Sequence, residues 1–238
     1  MDTVRYKKLK TQTIAHRGLS GIECENTCAA FAAAGNRSYF GIETDVHITA
    51  DGKFVVIHDD SAERVSGIDL DIEKSTLANI RKIRLKMHDG YQREDYIIPT
   101  LEEYIGICKR YEKTAVLELK NHFDEIDIRK IVDIIRDEDY LNNVIFISFD
   151  LENLKILRKI LPKQKLQYLV SKFNDDILQS LKKYNLDIDI DYTALNKNVV
   201  KVLKSNGINI NCWTCDNPGS AEKLAKLGVD FITSNILE

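Results

Sequence analysis

Three acidic side chains in the first half of the sequence are spaced so that the strands of a sheet would present them together. Glu43 and Asp45 stand two residues apart in the run GIETDV, and Glu118 stands two residues before Lys120 in AVLELK. Because successive side chains of a strand point to opposite faces, the members of each pair share one face. Carboxylates gathered in one cavity repel each other, which favours a bound hard cation such as Mg²⁺ or Ca²⁺ that prefers oxygen ligands. The alternative is a network without metal, in which Arg17 and Lys120 neutralise the acids.

A β-hairpin is predicted directly after the run that carries Asp45. The alternating segments GIETDVHITA and KFVVIHD are separated by an Asp-Gly pair at residues 51–52, which is the strongest short hairpin signal. If these two residues form the loop, Ala50 faces Lys53 and Asp45 lies opposite His58, with Cβ atoms about 5 Å apart. We expect the carboxylate to raise the pKa of His58. A register that differs by one residue would turn His58 to the other face.

A second histidine, His16, precedes Arg17 at the end of the short apolar run TIAH. If this run is a parallel strand of the same sheet, its end lies beside the ends of the strands that carry the acids. Two histidines and two cations, Arg17 and Lys120, then surround one acidic pocket. This combination suits general acid–base chemistry on a phosphate ester. His47, on the same face as the first two acids, is either a further ligand or a solvated loop residue.

Eight short β-branched runs alternate with amphipathic helical patterns along the chain, which predicts parallel βαβ units. The runs are TIAH (13–16), GIETDV (41–46), AVLELK (115–120), VIFISF (144–149), KLQYLV (165–170), DIDIDY (187–192), INCWT (210–214) and DFITS (230–234). They predict a single (β/α)₈ TIM barrel domain over residues 1–238, with an extra β-hairpin off strand two; the alternative is an open doubly wound sheet. Residues 60–98 are expected to form an excursion over one face. Catalytic groups of such barrels lie at the C-terminal ends of the strands, where this chain also has Asp150, Gln167, Asp191, Trp213 and Thr233.

The composition excludes several classes of protein. Lys and Arg number 34 against 37 Asp and Glu, a net charge of −3 at pH 7, so no global basic field favours nucleic-acid binding. No run approaches the roughly 18 apolar residues of a membrane span, and the N-terminus lacks the apolar core of a secretory signal. We therefore expect a soluble, cytoplasmic protein without stable membrane insertion. The five cysteines are expected to be free thiols, and His88 and His122, in polar stretches, are expected to be exposed.

The motifs taken together resemble one known family. The ordered series is AHRG (15–18), ENTCAAFAAAG (25–35), GIETDVHITADGKFVVIHD (41–59), IPTLEE (98–103) and LELK (117–120). This series resembles the glycerophosphodiester phosphodiesterase family, and the second half matches more loosely. The resemblance implies a (β/α)₈ barrel that hydrolyses glycerophosphodiesters to glycerol 3-phosphate and an alcohol. It also implies one divalent cation, Ca²⁺ or Mg²⁺, and a small-molecule substrate as the partner.

By the same resemblance, Glu43, Asp45 and Glu118 hold the cation, while His16 and His58 form the acid–base pair. The resemblance leaves open which histidine is the acid. It also leaves open whether water or the neighbouring glycerol hydroxyl attacks phosphorus, the latter giving a cyclic phosphate first. The oligomeric state and the head-group alcohol are likewise open.

The resemblance further implies that Arg17 and Lys120 bind the phosphate and that Trp213 lines the glycerol pocket. The family commonly has Asp and Pro after the last Thr, whereas this chain reads Thr-Ser-Asn at 233–235. We expect this departure to affect substrate fit more than activity, because it touches no proposed ligand or acid.

Two alternative functions remain at this point. A lysophospholipase D-like phosphodiesterase would need an exposed apolar rim, and the polar segment 60–98 gives it little support. A non-catalytic barrel that binds phosphate esters should have lost a histidine or a metal carboxylate, and this chain retains all of them.

Overall fold

The computed structural model describes residues 2–87 and 89–238, so the prediction for His88 lies outside the described residues. The strands within these ranges are β1 (Gln12–Ala15), β2 (Gly41–Ile48), β3 (Phe54–Val56), β4 (Thr114–Leu119), β5 (Val144–Ser148), β6 (Lys165–Val170), β7 (Asp187–Asp191), β8 (Ile210–Trp213) and β9 (Phe231–Ser234). The helices are α1 (Cys28–Gly35), α2 (Glu63–Ser66), α3 (Leu77–Ile80), α4 (Leu101–Arg110), α5 (Glu125–Asp137), α6 (Leu151–Ile160), α7 (Asp175–Tyr184), α8 (Lys197–Ser205) and α9 (Pro218–Leu227).

Eight of these strands form a closed parallel barrel. The hydrogen-bonded order is β1-β9-β8-β7-β6-β5-β4-β2, and β1 also pairs with β2, which closes the cylinder. Strand β3 pairs antiparallel with β2 and lies outside the closed ring. The predicted TIM barrel with an extra hairpin is therefore confirmed, and the open doubly wound sheet is excluded. The helices between strands cover the barrel because their buried apolar residues pack in one large cluster with the outward-facing side chains of the strands.

Helix α4 shows how the sequence fixes an element that supports the site. Its N-terminus is a capping box, in which the Thr100 hydroxyl accepts from the Glu103 N–H and the Glu103 carboxylate accepts from the Thr100 N–H. One turn later, the buried Tyr104 hydroxyl donates a 2.7 Å hydrogen bond to the Ile42 carbonyl of β2. This hydrogen bond connects the helix to the strand that carries two of the three acids.

The turn of the β2–β3 hairpin differs from the predicted one. The Thr49 N–H donates to the Lys53 carbonyl at 2.8 Å, so the loop contains three residues, 50–52, instead of two. The Gly52 N–H donates back to the Thr49 carbonyl, and Gly52 adopts a φ of +69°. This is a common three-residue hairpin loop, a turn followed by a glycine in the left-handed region. The prediction that Ala50 faces Lys53 is therefore wrong by one residue.

The corrected register also changes the neighbour of Asp45. Its carbonyl accepts from the Ile57 N–H at 3.0 Å, so His58 is not directly opposite Asp45 as predicted. Strand pairing ends at Val56, and beyond it the chain is free to bend. The direction of the His58 side chain is therefore not set by the alternating faces of a strand. It is set by the bend at residues 58–60.

The excursion over residues 60–98 is a small folded layer. It contains the two short helices α2 and α3, and a second apolar cluster joins its buried side chains to Val55 and Ile57 of the hairpin and to Cys24 of the β1–α1 loop. This packing holds the hairpin and the β1–α1 loop against each other at the carboxyl end of the barrel. Within the described residues, no helix has the length and hydropathy needed to cross a membrane.

Candidate active site

Three buried carboxylates meet at the carboxyl ends of β2 and β4. Glu43 and Asp45 are 4% and 1% exposed and Glu118 is 6% exposed, and Asp45 lies beside Glu118 in the parallel register. One oxygen of each lies within 4.8 Å of the other two. The period-two spacing of the sequence thus does bring the predicted acids together.

The charge state of these acids is strongly perturbed. Burial, and then the neighbouring carboxylates, raise the pKa of Glu43 well above its ordinary value, and the pKa of Glu118 to about 8. Burial also opposes ionisation of Asp45, but Lys120, His58 and Arg17 outweigh it and hold the pKa of this carboxyl below its usual range. The cluster therefore retains protons at neutral pH unless a further positive charge binds.

The donor set fits a divalent cation. The Glu118 Oε1 atom is buried without a hydrogen-bond partner in the described chain. The Lys120 Nζ atom lies 3.3 Å from it, but without the geometry of a hydrogen bond. Three carboxylates supply only oxygen ligands, which suits a hard cation of the Mg²⁺ or Ca²⁺ class.

Neighbouring groups fix the orientation of two of the acids. The Arg17 N–H donates to Glu43 Oε2 at 2.8 Å, from a residue with a φ of 52°. The Asn26 amide donates to Asp45 Oδ2 at 3.0 Å and in turn accepts from the Thr44 hydroxyl at 2.7 Å. The sequence alone does not show that Thr44 orients Asn26, because the position of Asn26 depends on the fold of the β1–α1 loop.

Two cations face the acids from opposite sides. The Arg17 guanidinium donates to Glu25 at 2.8 Å, and its Nε lies 3.9 Å from Asp45 Oδ2 and is buried without a hydrogen-bond partner in the described residues. The Lys120 Nζ lies 3.5 Å from Asp45 Oδ1. Both side chains also line one cavity, so two cations lie beside the space where an anionic ligand such as a phosphate would bind.

His16 lies at the end of β1 with a neutral partner. Its Nδ1 is 2.7 Å from Asn235 Oδ1, and the Asn235 amide nitrogen donates to Asp216 Oδ2 at 2.6 Å. Because Asp216 fixes the amide so that Oδ1 faces the ring, the His16 Nδ1 carries the proton and Nε2 is left with a lone pair, 4.0 Å from Glu43 Oε2. Burial, and then the Arg17 charge, lower the pKa of His16 to about 4.

This contact corrects one expectation from the sequence. The Thr-Ser-Asn departure at 233–235 was expected to touch no catalytic group, yet Asn235 contacts the imidazole of His16 directly. The Ser234 hydroxyl also donates to Asp216 at 2.7 Å. The departure therefore lies beside the candidate acid–base group.

His58 has a charged partner. Its Nδ1 is 2.6 Å from Asp59 Oδ1, and the other oxygen of Asp59 accepts from Arg64 Nε at 2.5 Å. Arg64 also donates to Glu25, which contacts Arg17. Burial is the largest influence and lowers the pKa of His58 despite the nearby Asp45 charge, so the predicted rise in this pKa is wrong.

The two histidines open into one cavity of about 120 Å³. Its polar side is formed by the two histidines, two cations and two acids described above, together with Asp189, Thr214 and Thr233, and its apolar side by Ile147, Phe149, Leu169 and Trp213. The rings of Phe149 and Trp213 meet edge to face with centroids 5.6 Å apart. Seven of the eight predicted site residues line this cavity, and Asp45 lies just behind them, in contact with Lys120 and Arg17.

One acidic residue of the cavity was not predicted from the sequence. Asp189 of β7 lines the cavity, and burial raises its pKa well above its ordinary value. Asp191 does end β7 as predicted, but its carboxylate accepts from the Thr193 N–H and hydroxyl and caps the following turn. The alternation DIDID puts both acids on one face, so the signal was present, but depth along the barrel was not readable.

Other sequence expectations have simpler outcomes. His47 is fully buried, so it is not a solvated loop residue. Its Nδ1 lies 3.4 Å from Glu73, and it is not part of the group of candidate metal ligands. His122 is exposed, as predicted. All five cysteines are free thiols.

The comparison with known proteins agrees with this geometry. The profile of the Glycerophosphoryl diester phosphodiesterase family matches residues 16–237. The chain belongs to this family. The family resemblance and the enzyme class predicted from the sequence, a phosphodiester hydrolase, are thereby confirmed.

Individual relatives match over nearly their whole length. The YhdW protein of Bacillus subtilis is 31% identical over 229 residues, 93% of each chain. A glycerophosphodiester phosphodiesterase of Caldanaerobacter subterraneus is 29% identical over 231 residues, 95% of each chain. The structure is also similar to that of an Oleispira antarctica phosphodiesterase in complex with the product sn-glycerol-3-phosphate. That likeness has a TM-score of 0.85 and 26% identity, and it covers 98% of this chain and 96% of the other.

Proposed function

We propose that this phosphodiesterase uses one divalent cation, Ca²⁺ or Mg²⁺, to hydrolyse glycerophosphodiesters to glycerol 3-phosphate and an alcohol. The observation that carries the proposal is the convergence of two histidines, three acids and two cations on one cavity. The product bound in the Oleispira antarctica relative supports glycerol 3-phosphate as the retained fragment. A cytoplasmic location and a small-molecule substrate complete the proposal.

The proposed binding of the phosphate uses the acids and the cations together. Glu43, Asp45 and Glu118 would hold the cation, which supplies electron withdrawal from the phosphoryl oxygens when bound. Arg17 and Lys120, which line the same cavity, bind the non-bridging oxygens. Because these groups are buried and held by hydrogen bonds, they need little reorganisation as charge develops at phosphorus.

The proposed division of the proton transfers follows from the partners of the histidines. Asn235 holds the proton of His16 on Nδ1, so the free Nε2 takes a proton from the attacking hydroxyl. Asp59, which accepts from Arg64, opposes the effect of burial on the pKa of His58 and so favours its protonated form, which donates to the leaving alcohol. His16 is thus the general base and His58 the general acid.

The experiment is release of glycerol 3-phosphate from glycerophosphocholine, glycerophosphoethanolamine and glycerophosphoinositol. Lysophosphatidylcholine tests the lysophospholipase D-like alternative in the same panel, with release of choline and lysophosphatidic acid as the readout. We expect turnover of at least one glycerophosphodiester, loss of turnover with a chelator and recovery with Ca²⁺ or Mg²⁺. Absence of turnover of every member with either ion contradicts the proposal, and turnover of the lysolipid alone favours the alternative.

A further inference from the structure

A buried carboxyl at the floor of the cavity has no role in the proposed phosphate chemistry. Asp189 is 2% exposed and faces the barrel interior, and its Oδ1 has no hydrogen-bond partner among the described residues. A buried polar atom without a partner is unfavourable. Such an atom in the wall of a cavity is satisfied when an occupant supplies the missing hydrogen bond.

The polar residues next to Asp189 already satisfy each other. The Thr233 hydroxyl donates to Asn211 Oδ1 at 3.2 Å, and the Asn211 amide donates to Gln167 Oε1 at 3.2 Å. Asn211 is the direct neighbour of Asp189 in the parallel register. Asp189, which lines the cavity, is therefore the member of this interior layer whose Oδ1 has no partner among the described residues.

A second atom of the same cavity also lacks a partner. The Nε1 atom of Trp213, one strand away on β8, is buried without a hydrogen-bond acceptor in the part of the chain described. A hydroxyl group can satisfy both atoms, because it can act as donor and acceptor. Leu169, the other neighbour of Asp189 in the register, and Ile147 supply apolar surface for the carbons that carry such a hydroxyl.

Asp189 lies across the barrel from the candidate phosphate ligands. The candidate phosphate ligands are on or directly after β1, β2 and β4, which are adjacent in the barrel. Strand β7 is three strands away from both β1 and β4, on the opposite side of the ring. A substrate whose phosphate contacts Arg17 and Lys120 therefore extends one of its two ester groups toward Asp189, and the unpartnered Asp189 and Trp213 atoms suit the group that carries hydroxyls.

We propose that Asp189 is a specificity-determining residue, which binds the terminal hydroxyl of the glycerol moiety and selects glycerol over diols that lack it. The proposal rests on the proposed function for the identity of the substrate. It assigns no proton transfer to Asp189. The Trp213 ring then covers the glycerol carbons, and its Nε1 donates to a glycerol hydroxyl.

The test compares two diesters that differ in one group, with cation-loaded full-length protein. One is glycerophosphoethanolamine, and the other is its analogue in which the terminal CH₂OH of glycerol is CH₃. The secondary hydroxyl is retained in both, so either route of attack stays available. A site built to bind a hydroxyl discriminates strongly against the analogue that lacks it. We expect the wild type to prefer glycerol by about 10²-fold in kcat/KM, and Asp189→Ala to reduce this preference to within about threefold.

The matched control is Asp187→Asn. Asp187 is on the same face of the same strand but binds Asn209 at the other end of the barrel, so its loss should leave the preference unchanged. Asp189→Leu adds a readout that a structural role would not produce. Removal of an unsatisfied buried carboxyl should leave the melting temperature unchanged or raised while selectivity is lost. Retention of the wild-type preference by both Asp189 variants overturns the inference.

Calorimetry separates this inference from the proposed function. Binding of glycerol 3-phosphate is compared with binding of 1,2-propanediol 1-phosphate, with no turnover required. If the wild type cleaves neither diester but binds glycerol 3-phosphate more tightly, and Asp189→Ala abolishes the difference, the proposed function fails and the inference stands. Equal binding of the two phosphates by the wild type overturns the inference.

Discussion

The surroundings of His16 and of His58 differ, although both imidazoles face one cavity. His16 follows the last residue of a barrel strand, has 17% of its side chain exposed, and contacts the neutral amide of Asn235. His58 follows the added hairpin, has 31% of its side chain exposed, and contacts the carboxylate of Asp59. A neutral acceptor fixes a tautomer but stabilises a positive ring less than a carboxylate does. The hydrogen-bond partners, Asn235 and Asp59, therefore suit two identical side chains to opposite proton transfers.

The largest effect is expected when either imidazole is removed. His16→Ala and His58→Ala should each lower kcat for glycerophosphodiesters by about 10²–10⁴-fold, because each removes one proton transfer. The measurement is steady-state release of glycerol 3-phosphate. Cation binding by calorimetry is the control and should stay within about threefold of the wild type. Full activity in either variant would show that the replaced histidine carries out no proton transfer.

A substrate with an activated leaving group should separate the two roles. Replacing the head-group alcohol by p-nitrophenol removes the need to protonate the leaving group. His58→Ala should therefore recover most of its lost activity on this substrate, by about 10–10³-fold, whereas His16→Ala should stay inactive on both. Recovery in His16→Ala instead would reverse the assignment of acid and base.

Changes to the partners should give smaller effects with the same pattern. Asp59→Asn removes the charge behind His58 and should lower kcat about 10-fold for an alcohol leaving group, with little effect for p-nitrophenol. Asn235→Ala frees the tautomer of His16 and should lower both rates by a similar factor. Equal behaviour of the two variants on both substrates would show that the partners do not differentiate the histidines.

The smallest effect concerns the acids that both histidines face. In the ion-free folded protein, Glu118 binds a proton with a pKa of about 8, against an ordinary value of 4.5. Between these values the folded state binds more protons than the unfolded state, so this group's contribution to stability is lost as pH rises. The melting temperature with chelator should fall by a few degrees from pH 5 to pH 8 relative to Glu118→Gln. A saturating divalent cation should remove this difference, and an unchanged difference would argue against the acids as its ligands.

The sequence predicted the barrel because eight alternating units leave few other architectures, and it predicted the shared face of Glu43 and Asp45 because strand periodicity is two. The predictions from the sequence were wrong where they depended on loop length or on burial. The loop at 50–52 has three residues, which shifted the predicted hairpin register by one. His58 nonetheless lines the cavity because strand pairing ends before it, so the predicted proximity was right for a different reason.

Other features could not be read from local patterns at all. The contact of His16 with Asn235 joins residues 219 positions apart. The sign of the shift in the pKa of His58 depends on burial, which the sequence does not report. The choice between Asp189 and Asp191 depends on depth within the barrel, because both occupy the same face of β7.

The central claim is that both histidines and the three acids act at one cavity. Its most direct test is a crystal structure of the protein with a divalent cation and glycerol 3-phosphate. We predict the cation on Glu43, Asp45 and Glu118, and the phosphate between His16 and His58. A cation bound elsewhere, or a phosphate in contact with neither imidazole, would contradict the account.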